Sequence, residues 1–159
     1  MNTGSSSTYS LRDATIDDID AIVHHRLSMF LEMGIALDAH RLQATFASWL
    51  NSTIPAGVYR GWLVETEARE IAAGGGITVL PWPPGPREFS GSLPLVYNMY
   101  TEPLHRHRGL ARLVMEAAHT WCRDAGFRLV GLAASDAGRP LYEALGYKVS
   151  RQPYMFKSL

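Results

Sequence analysis

One segment constrains the fold of this chain more than any other, because it joins a buried strand to a long helix. Leu93–Thr101 (LPLVYNMYT) is apolar on both faces, which is typical of a central strand. Gly109–Ala125 follows after a short polar turn and carries apolar residues at helical spacing. These residues form one stripe: Leu110, Leu113, Val114, Ala117, Ala118 and Trp121. Gly126 is placed to end the helix, so the segment predicts a strand, a turn and an amphipathic helix.

The rest of the chain alternates between strand and helix patterns in the same way. Further strands are predicted at Tyr9–Ala14, Tyr59–Glu65, Glu70–Leu80, Phe127–Leu132 and Tyr147–Lys157. Helices are predicted between a Thr15 cap and Gly34, from an Asp38 cap onward, and over Pro140–Leu145. The proline-rich stretch Pro81–Ser92 predicts an exposed loop. This order indicates the α/β class (α+β mixed sheet), with helices packed on a mixed sheet.

Length and composition exclude several kinds of protein. The chain has 159 residues, which fits a flexible tail over residues 1–7 and a single domain over residues 8–159. Its 15 Lys and Arg balance 15 Asp and Glu, whereas nucleic-acid-binding domains are usually strongly basic. No apolar run approaches the length of a membrane span, and the first residues lack a secretory pattern. We therefore expect a cytoplasmic protein without a nucleic-acid or membrane partner.

Cysteine and histidine usage gives no sign of a metal site. Cys122 is the one cysteine, so neither an intrachain disulfide nor a cysteine-based zinc site can form. Its position beside the apolar stripe predicts a core residue. The adjacent His24 and His25 point to different faces of a helix and are poorly placed to share an ion. We expect no metal.

The turn before the long helix, His105–Arg112 (HRHRGLAR), combines a glycine with basic residues. A helix N-terminus has unpaired N–H groups and a positive dipole end, which together suit a phosphate. Gly109 lacks a Cβ and would let a phosphate approach the backbone. Arg106 and Arg108 could be ordinary surface charges. Positive charges oppose the dipole at this end of a helix, however, and a bound anion would resolve the conflict.

Two motifs resemble those of a known family. Arg106-x-x-Gly109-x-Ala111 resembles the [QR]-x-x-G-x-[GA] loop that binds the acetyl-CoA pyrophosphate in the GNAT superfamily of N-acetyltransferases. Ser135–Tyr147 (SDAGRPLYEALGY) resembles the family's N-x-x-A-x-x-[LF]-Y-x-x-x-G-[FY] motif. Ser135 and Gly138 depart from that motif at its Asn and Ala positions. The order of elements also agrees over nearly the whole chain, which is identified as a member of this superfamily.

The resemblance implies a fold and a reaction. The fold is a central, mostly antiparallel sheet flanked by helices, with Leu93–Thr101 and Phe127–Leu132 as the strands that splay apart. The reaction is transfer of the acetyl group of acetyl-CoA, the cosubstrate, to a primary amine of a small molecule by direct attack in a ternary complex. A peptide or protein amine is an alternative acceptor, and a non-catalytic acyl-CoA-binding sensor is an alternative function. In relatives the C-terminal strand, here Tyr147–Lys157, can pair across a homodimer.

The resemblance also implies site residues. Met99, Tyr100 and Thr101 would pair with the pantetheine amides. The pyrophosphate would lie on Arg106, His107, Arg108, Gly109, Leu110, Ala111 and Arg112, and Ser135 would contact the CoA arm. Tyr142 would hydrogen-bond the leaving thiolate or give it a proton, although a tyrosine at this spacing is also compatible with core packing.

The acceptor side of the site is less determined. Glu32 is a candidate general base, but a helix-end glutamate is usually a surface charge. Glu32, Met33, Tyr97 and Asn98 are the candidate acceptor-binding residues. The acceptor surface is expected from Met29–His40 and from the Pro81–Ser92 loop, where Trp82 and Phe89 favour a bulky or partly apolar acceptor.

Overall fold

A computed structural model describes residues 8–159, so the tail expected over residues 1–7 lies outside the described residues. Its centre is a five-stranded sheet with the strands in chain order. The strands are β1 (Tyr9–Asp13), β2 (Tyr59–Thr66), β3 (Ile71–Pro81), β4 (Ser92–Thr101) and β5 (Gly131–Leu132). The first four pair antiparallel, and β5 pairs parallel with β4. The predicted mixed, mostly antiparallel sheet is confirmed.

Within residues 8–159, four α-helices flank the sheet. They are α1 (Ile19–Glu32), α2 (Ala39–Thr53), α3 (Leu110–Asp124) and α4 (Arg139–Ala144). Thr15, the predicted cap, forms a capping box with Asp18 around the 3-10 turn Ile16–Asp18 that leads into α1. Asp38 caps α2 by accepting a hydrogen bond from Arg41 N at 3.0 Å. Within residues 8–159 no helix combines the length and the apolarity needed to cross a membrane.

The helices cover both faces of the sheet and form two cores in the part of the chain that the structure describes. The larger core packs α3 on the sheet and includes Trp62, Ile77, Val114 and Met115. Cys122 lies in this core with 4% of its surface exposed, as its position in the sequence predicts. The smaller core packs α1 and α2 on the sheet through Ile22, Val23, Leu50 and Tyr59.

A run of glycines lets both helical layers approach β3 closely. A Cβ on Gly74 would lie 3.1 Å from His25 Nδ1 of α1 and 2.7 Å from Leu63 Cδ2. A Cβ on Gly75, which points to the opposite face, would collide with Met99 and press on Val114 of α3. Side chains at these two positions would push the helices off the sheet, which explains why the strand has glycine here.

The C-terminal part of the chain departs from the sequence prediction. No strand forms at Tyr147–Lys157, and residues 148–159 are exposed. A strand there would need a partner edge, but β5 is only two residues long, and Pro153 lacks an N–H to donate. The prediction of a closing strand at Tyr147–Lys157 is therefore wrong for the single chain.

β5 is shorter than predicted because a glutamate takes its hydrogen-bond donors. The predicted strand Phe127–Leu132 is reduced to Gly131–Leu132. The N–H groups of Arg128 and Leu129 donate instead to Glu88 Oε2, at 2.8 and 3.2 Å. Glu88 Oε1 accepts from Ser90 N at 3.1 Å. The buried Glu88 carboxylate thus joins the proline-rich loop to the segment before β5, and these backbone donors lower its pKa to about 2.

We expect Glu88→Gln to lower the melting temperature by several degrees at neutral pH, because one side of an amide cannot accept from these N–H groups. The folded pKa lies below the ordinary 4.5. The carboxylate therefore contributes stability above the ordinary pKa and loses that contribution as the pH falls through the folded pKa. The difference in melting temperature should shrink from about pH 5 to about pH 2. The exposed Glu67→Gln is the control, and a difference that does not vary with pH would contradict this role for Glu88.

Candidate active site

β4 separates from β5 halfway along its length. The two strands pair only at Leu95–Gly131 and Val96–Leu132, while β4 continues to Thr101. Its β3 edge is also irregular, because Asn98 and Met99 together lie opposite Gly75. Asn98 adopts a left-handed backbone with φ of 60°, as one residue of a β-bulge often does. The edge of β4 that faces β5 is therefore unpaired over residues 97–101. The predicted splay of the two strands is confirmed.

The turn after β4 shapes the start of α3. His107 has φ of 60° and Gly109 has φ of 78°, with Arg108 between them outside the left-handed region. Such alternation directs successive N–H groups toward one point and forms an anion-binding nest. The first helical hydrogen bond runs from Leu113 N to Gly109 O at 3.1 Å, and Gly109 has no side chain to cap the N–H groups of the first turn that follows it. A Cβ at Gly109 would meet nothing within 4 Å, so this end of α3 is open to a ligand.

Arg106 is held beside the open strand edge rather than extended into solvent. Its Nε donates to Thr101 O at 3.0 Å, and its Nη2 donates to both carboxylate oxygens of Glu32 at 2.7 and 2.8 Å. The guanidinium also lies 5.6 Å from the centre of the Tyr100 ring. The predicted pyrophosphate arginine and the candidate base are therefore partners in this structure, on segments that are distant in the sequence.

Glu32 is poorly suited to accept a proton in this arrangement. Tyr100 Oη donates to Glu32 Oε1 at 2.7 Å. This hydrogen bond and those from Arg106 lower the pKa of the Glu32 carboxyl. Met33, the other candidate at the end of α1, is exposed. Glu32 would have to leave both partners before it could act on an amine.

Other residues of the turn and of the first turn of α3 make contacts with neighbouring elements. Tyr9 of β1 and His105 share a hydrogen bond of 2.9 Å between Tyr9 Oη and His105 Nδ1. Arg112 lies 3.9 Å from Glu116, one helical turn further on. Leu110 is buried in the larger core, so the first turn of α3 is anchored to that core.

Tyr142 and Ser135 lie on and before α4. The Tyr142 ring is half-buried, packs against the larger core and lies 6.0 Å from the Tyr147 ring. Burial raises the pKa of its phenol, so the hydroxyl remains a proton donor at neutral pH. Ser135 Oγ accepts from Gly138 N at 3.2 Å, so the serine at the family's asparagine position also organises the turn into α4.

A cluster of His24, His25 and Glu102 lies beside the open edge, and its formation was not predicted from the sequence. Glu102 Oε1 lies 2.7 Å from His24 Nε2 and 3.5 Å from His25 Nε2. His25 is buried, and this burial lowers its pKa to about 4, so it is neutral at pH 7. The adjacent histidines meet at one carboxylate, although no group of three or more such side chains in the part of the chain described is arranged to hold a metal ion.

A cavity of about 400 Å³ lies between α2, α1 and the sheet. Its wall is mainly apolar and aromatic, and its members include Arg26, Phe46, Trp49, Tyr59, Leu80 and Tyr97. Tyr97 precedes Asn98, so the cavity reaches the bulge of β4. Neither Trp82 nor Phe89 is among the lining residues. The expected contribution of the proline-rich loop is thus replaced, within this cavity, by residues of α2.

A splayed central strand, followed by an anion nest at the start of a long helix, is the arrangement expected of the acetyltransferase class. Residues 58–149 match the family model of the acetyltransferase (GNAT) domain. The chain therefore belongs to the GNAT family and is an acyltransferase.

Solved structures agree with this assignment. A GCN5-related N-acetyltransferase from Ralstonia eutropha JMP134 is 32% identical, with 96% of this chain and 99% of that chain covered and a TM-score of 0.85. A predicted acetyltransferase with acetyl-CoA from Clostridium acetobutylicum is 24% identical, with coverage of 94% and 96% and a TM-score of 0.87. Glucosamine-6-phosphate N-acetyltransferase from Arabidopsis thaliana shares the fold at 18% identity, with coverage of 95% and 98% and a TM-score of 0.65. Curated protein sequences gave no significant match.

Proposed function

We propose that this protein transfers the acetyl group of acetyl-CoA to a primary amine of a small molecule by direct attack within a ternary complex. The observation that carries the proposal is the continuity of the open edge of β4 with the nest at the start of α3. A strand edge can pair with the amides of pantetheine, and the nest can hold a pyrophosphate. The cytoplasmic location expected from the sequence is part of this proposal.

The residues present fit the cosubstrate. Met99, Tyr100 and Thr101 lie on the part of β4 that β5 leaves unpaired. His107 and Gly109 shape the nest, and the N–H groups of Leu110, Ala111 and Arg112 belong to the first turn of α3. Arg106 and Arg108 would add positive charge, and Ser135 would contact the CoA arm. Binding would require Arg106 to exchange Glu32 for a phosphate oxygen.

The chemistry follows from what the chain offers around the open edge. The thioester supplies the electrophilic carbonyl; a C–N bond forms as the amine loses a proton to water or to a base, and the C–S bond breaks. The Tyr142 phenol, kept protonated by its raised pKa, would give its proton to the leaving sulfur and regain one from solvent. Backbone N–H groups at the β4 bulge would stabilise the negative charge on the carbonyl oxygen. Tyr97 and Asn98 would contact the acceptor.

A panel of amines tests this function against its alternatives. Release of CoA thiol from acetyl-CoA with small amines supports the proposal. Turnover of peptide amines alone would favour a peptide or protein acetyltransferase. Tight CoA binding with no turnover of any amine would instead indicate an acyl-CoA-binding sensor.

Glu32→Gln distinguishes a role of Glu32 as the ion-pair partner of Arg106 from a role as the general base. We expect kcat to stay near the wild-type value and KM for acetyl-CoA to fall by about twofold to fivefold, since an exposed ion pair competes only weakly with the cosubstrate. Steady-state kinetics with varied acetyl-CoA measure both parameters. Glu143→Gln, which removes the exposed pair of Glu143 with Arg139 at 3.2 Å, is the control. A loss of kcat of about 100-fold would instead establish Glu32 as the general base.

A homodimer is also part of the proposal. Val149, Tyr154, Met155 and Phe156 are exposed near the C-terminus, and contact with a second copy would cover them. Light scattering coupled to size-exclusion chromatography should give twice the monomer mass. A purely monomeric protein would contradict it.

A further inference from the structure

Two buried side-chain polar atoms in residues 8–159 have no hydrogen-bond partner. They are Arg26 Nε and Asn98 Oδ1, one of which is a donor and the other an acceptor. A buried polar group without a partner is costly, and such a group in a native protein calls for an explanation. A bound ligand that offers an acceptor to one and a donor to the other would satisfy both.

The two side chains belong to the same part of the molecule. Asn98 Nδ2 donates to Ile22 O of α1 at 2.9 Å, which fixes the amide with its oxygen as the free end. Arg26 follows Ile22 by four residues, which is about one helical turn. Both side chains therefore lie at the contact between this turn of α1 and the bulge of β4.

Arg26 is the charged member of the cavity wall among the described residues. Its guanidinium lies 4.7 Å from the centre of the Phe46 ring and 5.0 Å from that of Phe30. No carboxylate of residues 8–159 lies within ion-pair distance of it. A positive charge that lies between aromatic rings and has no counter-ion makes the cavity complementary to an anion.

The cavity also matches an apolar body. Phe46, Trp49, Tyr59 and Leu80 line it, and its volume of about 400 Å³ is within the range of small-molecule sites. Tyr97 connects it to the bulge at Asn98. An occupant of the cavity would therefore reach the strand on which the proposed acetyl transfer takes place.

We propose that the acceptor is a small amine that carries a carboxylate on an apolar framework. The carboxylate binds Arg26 and the apolar framework fills the aromatic cavity, so that the amine lies past Tyr97 on the side of the bulge at Asn98. This assignment of the substrate class rests on the proposed acetyltransferase function. A polycationic acceptor is disfavoured, because it would bring further positive charge to Arg26 in an apolar environment.

Matched pairs of amines test the proposal. The pairs are phenylalanine with phenethylamine, leucine with 3-methylbutylamine, and 4-(aminomethyl)benzoate with benzylamine, which differ in the spacing of amine and carboxylate. We expect the carboxylate member of at least one pair to have a kcat/KM higher by about 10- to 100-fold, the range for hydrogen bonds to a charged group. Arg26→Met should reduce that ratio to about one, and Arg26→Lys should keep part of it.

Calorimetric titration of the same amines in the presence of CoA measures binding without transfer. Arg41→Met, an exposed arginine on α2, is the matched control and should leave the ratio and the binding unchanged. Thermal melting of each variant reports whether it is folded. If Arg26→Met does not fold, the comparison of Arg26→Lys with the wild type still tests the proposal.

The outcomes separate this inference from the function on which it rests. Turnover of neutral amines as good as or better than that of their carboxylate partners, or an unchanged ratio in Arg26→Met and Arg26→Lys, would overturn the inference and leave the acetyltransferase function intact. Arg26-dependent binding of the carboxylate amines without turnover would support the anion site and overturn the proposed function.

Discussion

Gly109→Glu is expected to weaken the binding of CoA by at least about 100-fold, as measured by isothermal titration calorimetry. The new carboxylate would stand at the start of α3, where it would accept from the first-turn N–H groups itself and repel the pyrophosphate. At about 4 Å and an effective dielectric constant of about 20, two like charges repel by about 4 kcal/mol, whereas a 100-fold loss of affinity needs only about 3 kcal/mol.

Gly126→Glu is the matched control for backbone strain. Gly109 has φ of 78° and Gly126 has φ of 86°, and a Cβ at either position meets nothing within 4 Å. Both variants should lose stability by about 1–2 kcal/mol, because a side chain is strained in the left-handed region. Only Gly109→Glu should lose CoA. Unchanged CoA binding in a folded Gly109→Glu variant would refute the anion site at this helix end.

Tyr142→Phe is expected to lower kcat by about 100-fold and to change KM for acetyl-CoA little, since proton transfer from a positioned side chain contributes at least about this much. The substitution keeps the ring that packs against the core and removes only the hydroxyl. Because burial raises the phenol pKa, the wild-type enzyme should keep this donor protonated through the neutral pH range.

Tyr147→Phe separates catalysis from packing. Tyr147 lies beside Tyr142 and shares a hydrogen bond of 2.7 Å with His119, so its hydroxyl serves the core rather than the proposed site. We expect Tyr147→Phe to lower the melting temperature and to leave kcat near the wild-type value. Equal loss of activity in the two variants, or none in Tyr142→Phe, would show that the Tyr142 hydroxyl serves the core as well.

The central strand and the long helix could be predicted nearly to the residue, because their apolar patterns are strong. β4 and α3 begin and end within one residue of the predicted positions. The prediction of a strand at Tyr147–Lys157 was wrong, because it rested on the local pattern alone. Its pattern describes a segment that suits a strand, but a strand forms only against a partner edge, and the pattern carries no information about that edge.

Long-range polar contacts account for most of what the sequence concealed. Glu32 meets Arg106, and Glu88 meets the backbone of Arg128, across separations that no local pattern spans. Arg26 is the exception. It lies at helical spacing from Ile22, Val23 and Phe30, on the apolar stripe of α1, and a charged residue on such a stripe was a signal that could have been used.

The burial of Cys122 has a practical consequence for assays. It is the chain's one cysteine, and burial raises its pKa to about 11. At pH 8 a thiol with that pKa is on the order of one part in a thousand thiolate, the form that reacts with disulfide and alkylating reagents. Colorimetric thiol reagents should therefore count released CoA with almost no background from the folded enzyme. A cysteine introduced on the surface should take up a fluorescent label selectively, without removal of the native residue.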